Sequence, residues 1–554
     1  MLKKKHLFLA APLLCLSAVA LTGCDNNLEG DVVLRILNAE DYIYEFDEEY
    51  DVEMQYEENE LAYRMDMLDQ FETYWESLPE NKGKDLQIVY DTYDTNETMF
   101  NELKTGKTTY DVIVPSDYMV QKLASLGMLH KLENENNRLW ENISGYLETA
   151  LKGVLIPDEN GDPIPNSTLS DYDYCVPYMW GTLGIMYNAE HYLKDLQKID
   201  PNATIDDVHE LFKSWDCLYG EYANTDDASL KEKYGVISDS FSIKDSVRDT
   251  YTISLIHTFD EDVKNSTDAT ALKQIINRHD EETISKVQED MLNLKANAFG
   301  FETDSGKTDM TTEKIGANLC WSGDATWAIT EARGEGEEDE LSLYYSLPIG
   351  DPTGNSEDNK SGSNIWFDCF CMPKNAKDED NQTPEEKAQY KLGEDFIEFM
   401  SQPENAVQNC YCVGYTPAVA GEDILEYMHD CYDAEGDDVV EYNLNYFFNP
   451  DYDPEDEDTW YDEDYILEAD RDMSMRELRA QYPMLEDLPR LAIMNDFGPK
   501  GNQALLDMWE SVRTNPLPVW AIIVFIIEGV AAIGVATYFV SKKVIRKKLK
   551  EARK

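Results

Sequence analysis

The sequence predicts an α/β protein of two or more lobes, displayed on the outer face of a membrane. Three observations predict it: short apolar runs alternate with helical patterns, the region between residues 25 and 515 is too long for one small core, and both termini have the composition of membrane anchors. Leu86-Gln87-Ile88-Val89-Tyr90 reads as a strand, and Thr98 to Lys104 as a helix. Asp111-Val112-Ile113-Val114-Pro115 reads as the next strand, followed by a helix from about Tyr118 to Leu126. Strand followed by helix, repeated, implies a parallel sheet, whose ligands sit outside the carboxyl ends of the strands. Ser116-Asp117-Tyr118 falls at such an end. Ser116 is placed to cap the following helix, and Tyr118 lies at the same edge. No internal repeat of fixed period is present.

The N-terminus carries Lys3, Lys4 and Lys5, an apolar stretch from Leu7 to Ala20, and then Leu21-Thr22-Gly23-Cys24. A basic head, a short apolar run and a small-residue site make a secretory leader. The terminal cysteine gives it the form of a bacterial lipobox. Residues 1–23 are therefore expected to be a lipoprotein signal peptide, with a lipid on Cys24. Residues 519–540 are apolar apart from Glu528 and Thr537, long enough for a transmembrane helix. Trp520 and Tyr538 flank them, and the basic tail 541–554 follows. Positive charge on that side places the tail in the cytoplasm and the body outside the cell or in the periplasm. Glu528 sits near the middle of the span, where a charge is costly.

The chain has 47 Lys and Arg against 111 Asp and Glu, a formal charge of −64. Such a field repels nucleic acid and concentrates cations. Ten cysteines occur; Cys15 leaves with the leader and Cys24 takes the lipid. Cys175, Cys217, Cys320, Cys369, Cys371, Cys410, Cys412 and Cys431 remain. Their even number permits disulfides, but spacing does not give the pairing; buried free thiols are the adopted reading. Cys369/Cys371 and Cys410/Cys412, if in strands, would each face one side. Seven scattered histidines supply no metal cluster. No nucleophile elbow, zinc-protease motif or phosphate-binding glycine loop occurs, so neither an enzyme nor a cofactor is expected.

Several segments, in order, resemble one family. They are Tyr93-Asp94-Thr95-Asn96-Glu97-Thr98-Met99, Tyr110 to Tyr118, Val176-Pro177-Tyr178-Met179-Trp180-Gly181-Thr182 and Trp215. Asp245-Ser246-Val247-Arg248-Asp249, Trp321-Ser322-Gly323-Asp324-Ala325, Ile365-Trp366-Phe367-Asp368 and Val413-Gly414-Tyr415-Thr416-Pro417 continue the series. Together they resemble the polyamine-binding proteins of ATP-binding-cassette importers over residues 31–420, resuming near Met494-Asn495-Asp496-Phe497-Gly498. The resemblance implies a two-lobed type II periplasmic-binding-protein (Venus flytrap) fold. Residues 31–183 and 367–420 would form lobe 1, and 184–366 and 421–512 lobe 2. The chain would cross between lobes near Thr182, near Asp368 and past Val419.

By the same resemblance Tyr42, Ser116 and Tyr118 would line the first lobe's side of a cleft. Asp249, Trp321, Trp366, Asp368 and Tyr415 would complete it, with Asp249 and Asp368 anchoring ammonium groups between aromatic walls. The chemistry fits independently. A polyamine is an aliphatic rod with charged ends, and aromatic faces attract such cations by roughly 0.5–2 kcal/mol each, while carboxylates add charge-assisted hydrogen bonds. Taken alone, Trp321, Trp366 and Tyr415 would be ordinary core aromatics, and Asp249 a surface partner of Arg248. The i, i+2 spacing of Trp366 and Asp368 puts both on one strand face. The implied function is capture of a polyamine of the putrescine or spermidine type and delivery to an ABC permease. The alternative is a membrane-tethered polyamine or organic-cation sensor or interaction subunit with the same fold, favoured by the second anchor.

Departures from the family pattern occur at Asn38-Ala39-Glu40-Asp41-Tyr42, where one aromatic is missing, at Ser246 and at Met494. Two insertions, 46–84 and 421–490, also set the chain apart. The second holds eleven acids and no base between Asp451 and Asp470. It lacks the glycine of a calcium loop and reads as a solvated acidic excursion.

Overall fold

The long strand Val176–Asn188 organises the molecule, and every one of its residues is buried. Its sequence is continuously apolar and aromatic rather than alternating, as a strand covered on both faces requires. The computed structural model describes residues 32–46, 65–158, 161, 163–168, 174–266, 269–303, 305–333, 341–350, 360–374, 382–436 and 438–514. The first half of the long strand pairs antiparallel with Ser363–Phe370 and Thr416–Pro417. Its second half pairs with Ala317–Trp321 and Leu343–Ser346. The change of partner falls between Thr182 and Leu183, near the crossing the sequence suggests. The core changes there too. Trp180 packs in one cluster with Leu34, Ile36 and Phe367, whereas Leu183 packs in a second with Ile243, Leu255 and Leu319.

Each core carries its own group of parallel strands. In the first, Val32–Ala39 lies between Leu86–Tyr93 and Val112–Ile113, in register from Val32↔Leu86 to Ala39↔Tyr93. In the second, Phe241–Lys244 lies between Gly300–Glu302 and Ala317–Trp321. The helices Asn96–Thr105 and Asp117–Ser125 stand where the sequence puts them. Thr95 closes the first with a capping box. The strand Ser363–Phe370 makes a second crossing. Ser363 and Asn364 pair with Leu491 and Ala492, while Asp368 bridges Ser116 and Cys371 bridges Ile113.

The third crossing differs from expectation. Beyond Val419 the chain enters the helix Glu422–Tyr432, whose Ile424, Met428 and Tyr432 pack into the first core. Tyr442, Tyr446, Phe447 and Tyr482 join them, with the Phe447 ring stacked 5.4 Å from Trp180. This aromatic group has its partners in the first core, so residues 424–470 pack there rather than with 184–366. Residues 471–481 also touch the other lobe, where Tyr344 donates to Asp472 at 2.6 Å and Ala480 packs with Met186 and Tyr345. The passage to the second core comes at Leu491–Phe497. Leu491 and Ile493 face the first cluster, Ala492 and Phe497 the second.

The acidic insertion is folded. Val439–Asn443 and Ile466–Asp470 form an antiparallel pair. Asp456, Asp462 and Asp470 each accept a hydrogen bond from the N–H two residues on, so part of the acid content caps turns. Among the described residues none of the eight remaining cysteines forms a disulfide; six are buried as expected, but Cys412 is half-buried and Cys431 exposed. Cys410 and Cys412 lie on the helix Pro403–Val413, not on a strand. The leader 1–23, Cys24, the span 519–540 and the tail 541–554 lie outside the described residues. Among the described residues no helix is long and apolar enough to cross a membrane.

Candidate functional site

Both groups of parallel strands point their carboxyl ends at one cavity of about 380 Å³. The segments that follow Ala39, Tyr93 and Ile113 supply Tyr42, Glu97, Ser116 and Tyr118 from the first lobe. Those that follow Lys244, Glu302 and Trp321 supply Asp249, Lys307 and Asp324 from the second. The crossing strand adds Trp366 and Asp368, and Tyr415 follows the helix Pro403–Val413. This is the general position of ligand sites in open α/β sheets, here doubled. Tyr42, Ser116, Tyr118, Asp249, Trp321, Trp366, Asp368 and Tyr415 all line this cavity.

The two carboxylates expected to anchor ammonium groups, Asp368 and Asp249, both have neutral hydrogen-bond partners. Asp368 accepts from Tyr42 Oη at 2.7 Å and from Ser116 Oγ at 2.6 Å. Ser116 makes no side-chain cap for its helix, contrary to the simplest reading; its hydroxyl is committed to Asp368 and to Asn96 Nδ2 at 2.9 Å. Asp249 accepts from Trp321 Nε1 at 3.1 Å. Asp249 is buried and Arg248 turns away from it, onto the Phe497 ring at 4.0 Å and the Asn495 carbonyl. The surface ion pair of these two neighbours is therefore not formed. Burial pushes the Asp368 carboxyl up to about 6, against the Ser116 and Tyr42 hydrogen bonds, with nearby Asp249 adding to the rise. Burial likewise raises Asp249, opposed by Ser246, Trp321, Lys244 and Arg248. Charging either group at these buried positions is costly, and a cation placed between them would relieve that cost.

Aromatic rings wall the space. Tyr42 and Tyr415 meet edge to face at 5.1 Å, and Trp366 lies 5.7 Å from Tyr415. Trp366 Nε1 is buried without a hydrogen-bond partner among the described residues. Tyr415 packs directly on Gly323, where an added Cβ would lie 2.2 Å from ring atoms. The ring cannot retreat, because its hydroxyl donates to Asp324 Oδ1 at 2.9 Å. Gly323→Ala is expected to cost about 1–3 kcal/mol through this overlap. An unchanged urea midpoint would show that the ring has room to move.

Several lining residues were not singled out from sequence. Lys244 donates to Asp324 Oδ2 at 2.9 Å and lies 4.2 Å over the Trp321 ring. Asp117 is buried, accepts from Phe367 N at 3.0 Å, and is pushed by burial to about 7. Tyr118 Oη donates to Glu97 at 3.2 Å. A lysine closing a buried strand, one residue before the Asp245–Asp249 segment, was the available signal for Lys244. Of the three departures, Ser246 caps the helix Val247–Thr258 through Asp249 N, and Met494 Sδ accepts from Thr252 Oγ1 at 2.8 Å. Ala39, Ser246 and Met494 all line the cavity.

The profile of a family described as bacterial extracellular solute-binding protein matches residues 66–423. The chain belongs to this family. It is a solute-binding protein rather than an enzyme. The putrescine-binding periplasmic protein SpuD of Pseudomonas aeruginosa is 24% identical over 324 residues, covering 58% of this chain and 69% of that protein. The spermidine/putrescine-binding periplasmic protein of Salmonella typhimurium is 25% identical over 347 residues, covering 62% and 74% respectively. A solved structure from Listeria monocytogenes, assigned to spermidine/putrescine ABC transport, superposes with a TM-score of 0.50 at 20% identity. It covers 87% of this chain and 99% of its own, and supports the two-lobed α/β fold.

Proposed function

We propose that this protein captures a polyamine of the putrescine or spermidine type in the cleft and passes it to an ABC permease. The observation that carries this reading is the pair Asp249 and Asp368. Both line the aromatic-walled cavity, and their bonded partners are hydroxyls and an indole rather than cations. Two such carboxylates suit the two ends of an aliphatic diamine, with Tyr42, Trp321, Trp366 and Tyr415 flanking its methylenes. The names of the relatives support the same ligand class. The double anchor of the sequence reading, lipid on Cys24 and helix 519–540, would keep the captured solute beside a membrane permease. The lobes would close on the ligand by hinge motion and present the closed form to that permease.

Calorimetric titration of the full chain in detergent with putrescine, cadaverine, spermidine and spermine, arginine serving as control, tests the reading. Micromolar or tighter binding of a polyamine is expected, and binding of none would end it. Affinity should also depend on pH. Amines keep their protons between pH 5 and 8, while the Asp368 carboxyl titrates near 6. Protonating it removes a counter-charge, so binding is expected to weaken about tenfold from pH 8 to pH 5. A flat profile would place the titrating carboxyl outside the ligand's reach.

A further inference from the structure

We propose that Lys244 is a resident ammonium group that occupies one cation position of the cleft and restricts it to short diamines. The inference rests on the polyamine reading and names the ligand subclass within it. Lys244 ends the buried strand Phe241–Lys244 and is 3% exposed, yet it lines the cavity. Its Nζ lies 4.2 Å from the centroid of the Trp321 ring, 2.9 Å from Asp324 Oδ2 and 3.6 Å from Glu302 Oε1. An aromatic face and carboxylates are the surroundings that would bind an amine of the ligand. Here the chain fills them with its own amine.

This arrangement is held from every side. Asp324 Oδ1 takes the Tyr415 hydroxyl at 2.9 Å. Glu302 is fixed by the Gly306 N–H at 2.9 Å and by Asn318 Nδ2 at 3.3 Å. The Lys244 carbonyl accepts from Thr250 Oγ1 at 3.0 Å. A ligand ammonium would have to expel a buried, paired lysine to reach Asp324, which is costly. Trp321 is shared in the same sense: its face goes to Lys244 and its Nε1 to Asp249. Asp324 and Glu302 are paired with Lys244. Asp249 and Asp368, bonded to an indole and to hydroxyls, suit the two ends of a diamine, while other lining acids are held elsewhere, Glu97 by the Tyr118 hydroxyl and Asp117 by the Phe367 N–H. A third amine, as in spermidine, finds its place taken, with Lys244 adding like-charge repulsion.

The test is calorimetry on the full chain with putrescine, cadaverine, spermidine and spermine, using wild type, Lys244→Met and Lys244→Met/Asp324→Asn. Wild type is expected to bind one of the diamines at least tenfold more tightly than spermidine. Lys244→Met frees the Trp321 face and Asp324, and should shift the spermidine-to-diamine preference at least tenfold toward spermidine. The double variant removes the freed carboxylate and should return the ratio toward wild type. If Lys244→Met does not fold, the double variant, which leaves one fewer unpaired acid, and the wild-type series decide. Spermidine binding as tightly as the diamines in wild type, or an unshifted ratio in Lys244→Met, overturns the assignment to Lys244 alone. Failure of the wild type to bind any amine overturns the polyamine reading itself.

Discussion

Asp368→Asn is expected to weaken polyamine binding about thirtyfold or more while stabilising the ligand-free protein. Both effects have one origin. In the closed cleft the carboxylate would face a ligand ammonium in a poorly solvated site, and removing one partner of a buried charge pair costs about 2–5 kcal/mol. The substitution keeps the size of the side chain; the Tyr42 and Ser116 hydroxyls donate to different oxygens at 2.7 and 2.6 Å, so one keeps an oxygen acceptor and the other must turn to accept from the new amide. Without ligand the balance reverses. The folded carboxyl titrates near 6, above its ordinary value, because burial disfavours its charge. Its ionised form therefore costs stability above that pH, and stability recovers as pH falls from about 6 toward the ordinary carboxylate range. A neutral asparagine should raise stability at pH 7.5 by on the order of 1–2 kcal/mol and flatten this dependence. Calorimetry and urea denaturation read the two effects separately. Unchanged affinity would remove Asp368 from the site.

Arg490→Met is expected to destabilise the fold by about 3–5 kcal/mol, without any contact to the cleft. Arg490 is 7% exposed, and its guanidinium bonds backbone carbonyls instead of acids. Nε donates to Ser361 O at 2.6 Å, Nη1 to Ser266 O at 2.9 Å, and Nη2 to Val263 O at 2.9 Å and Lys360 O at 2.7 Å. These carbonyls belong to two separate stretches of chain, which the arginine ties to the segment that returns to the second core. Methionine fills much of the volume and leaves the acceptors without donors, which is the expensive outcome. Lysine should recover less than half of the loss, since one ammonium cannot reproduce the planar fork. Equilibrium urea denaturation measures both variants. A loss under about 1 kcal/mol would mean that water replaces the guanidinium freely.

Much of the site was legible because it follows from local pattern. Ser116-Asp117-Tyr118 could be placed at a strand's carboxyl end, since an apolar run followed by a helical pattern has few other readings. Trp366 and Asp368 could be put on one side of a strand by their spacing alone, and both line the cavity. The family resemblance supplied the remaining members, and they gather in the same space. The roles were less legible. Ser116 looked like a helix cap because the alternative partner, Asp368, is 252 positions away. The insertion 421–490 looked like an acidic excursion because its charges outnumber the tyrosines and phenylalanines that seat it against Trp180.

By itself the sequence determined the α/β class, the strand and helix alternation of residues 86–126, and the acidity that favours cationic ligands. These depend on periodicity, composition and short spacings, which neighbouring residues carry. The tertiary structure decided which charges are neutralised and which stay open to a ligand. Lys244 and Asp324 are 80 positions apart, and Asp249 and its Trp321 donor 72. Whether a buried charge is satisfied depends on what arrives from distant strands. That pairing separates a general cage for amines from one that has an amine of its own.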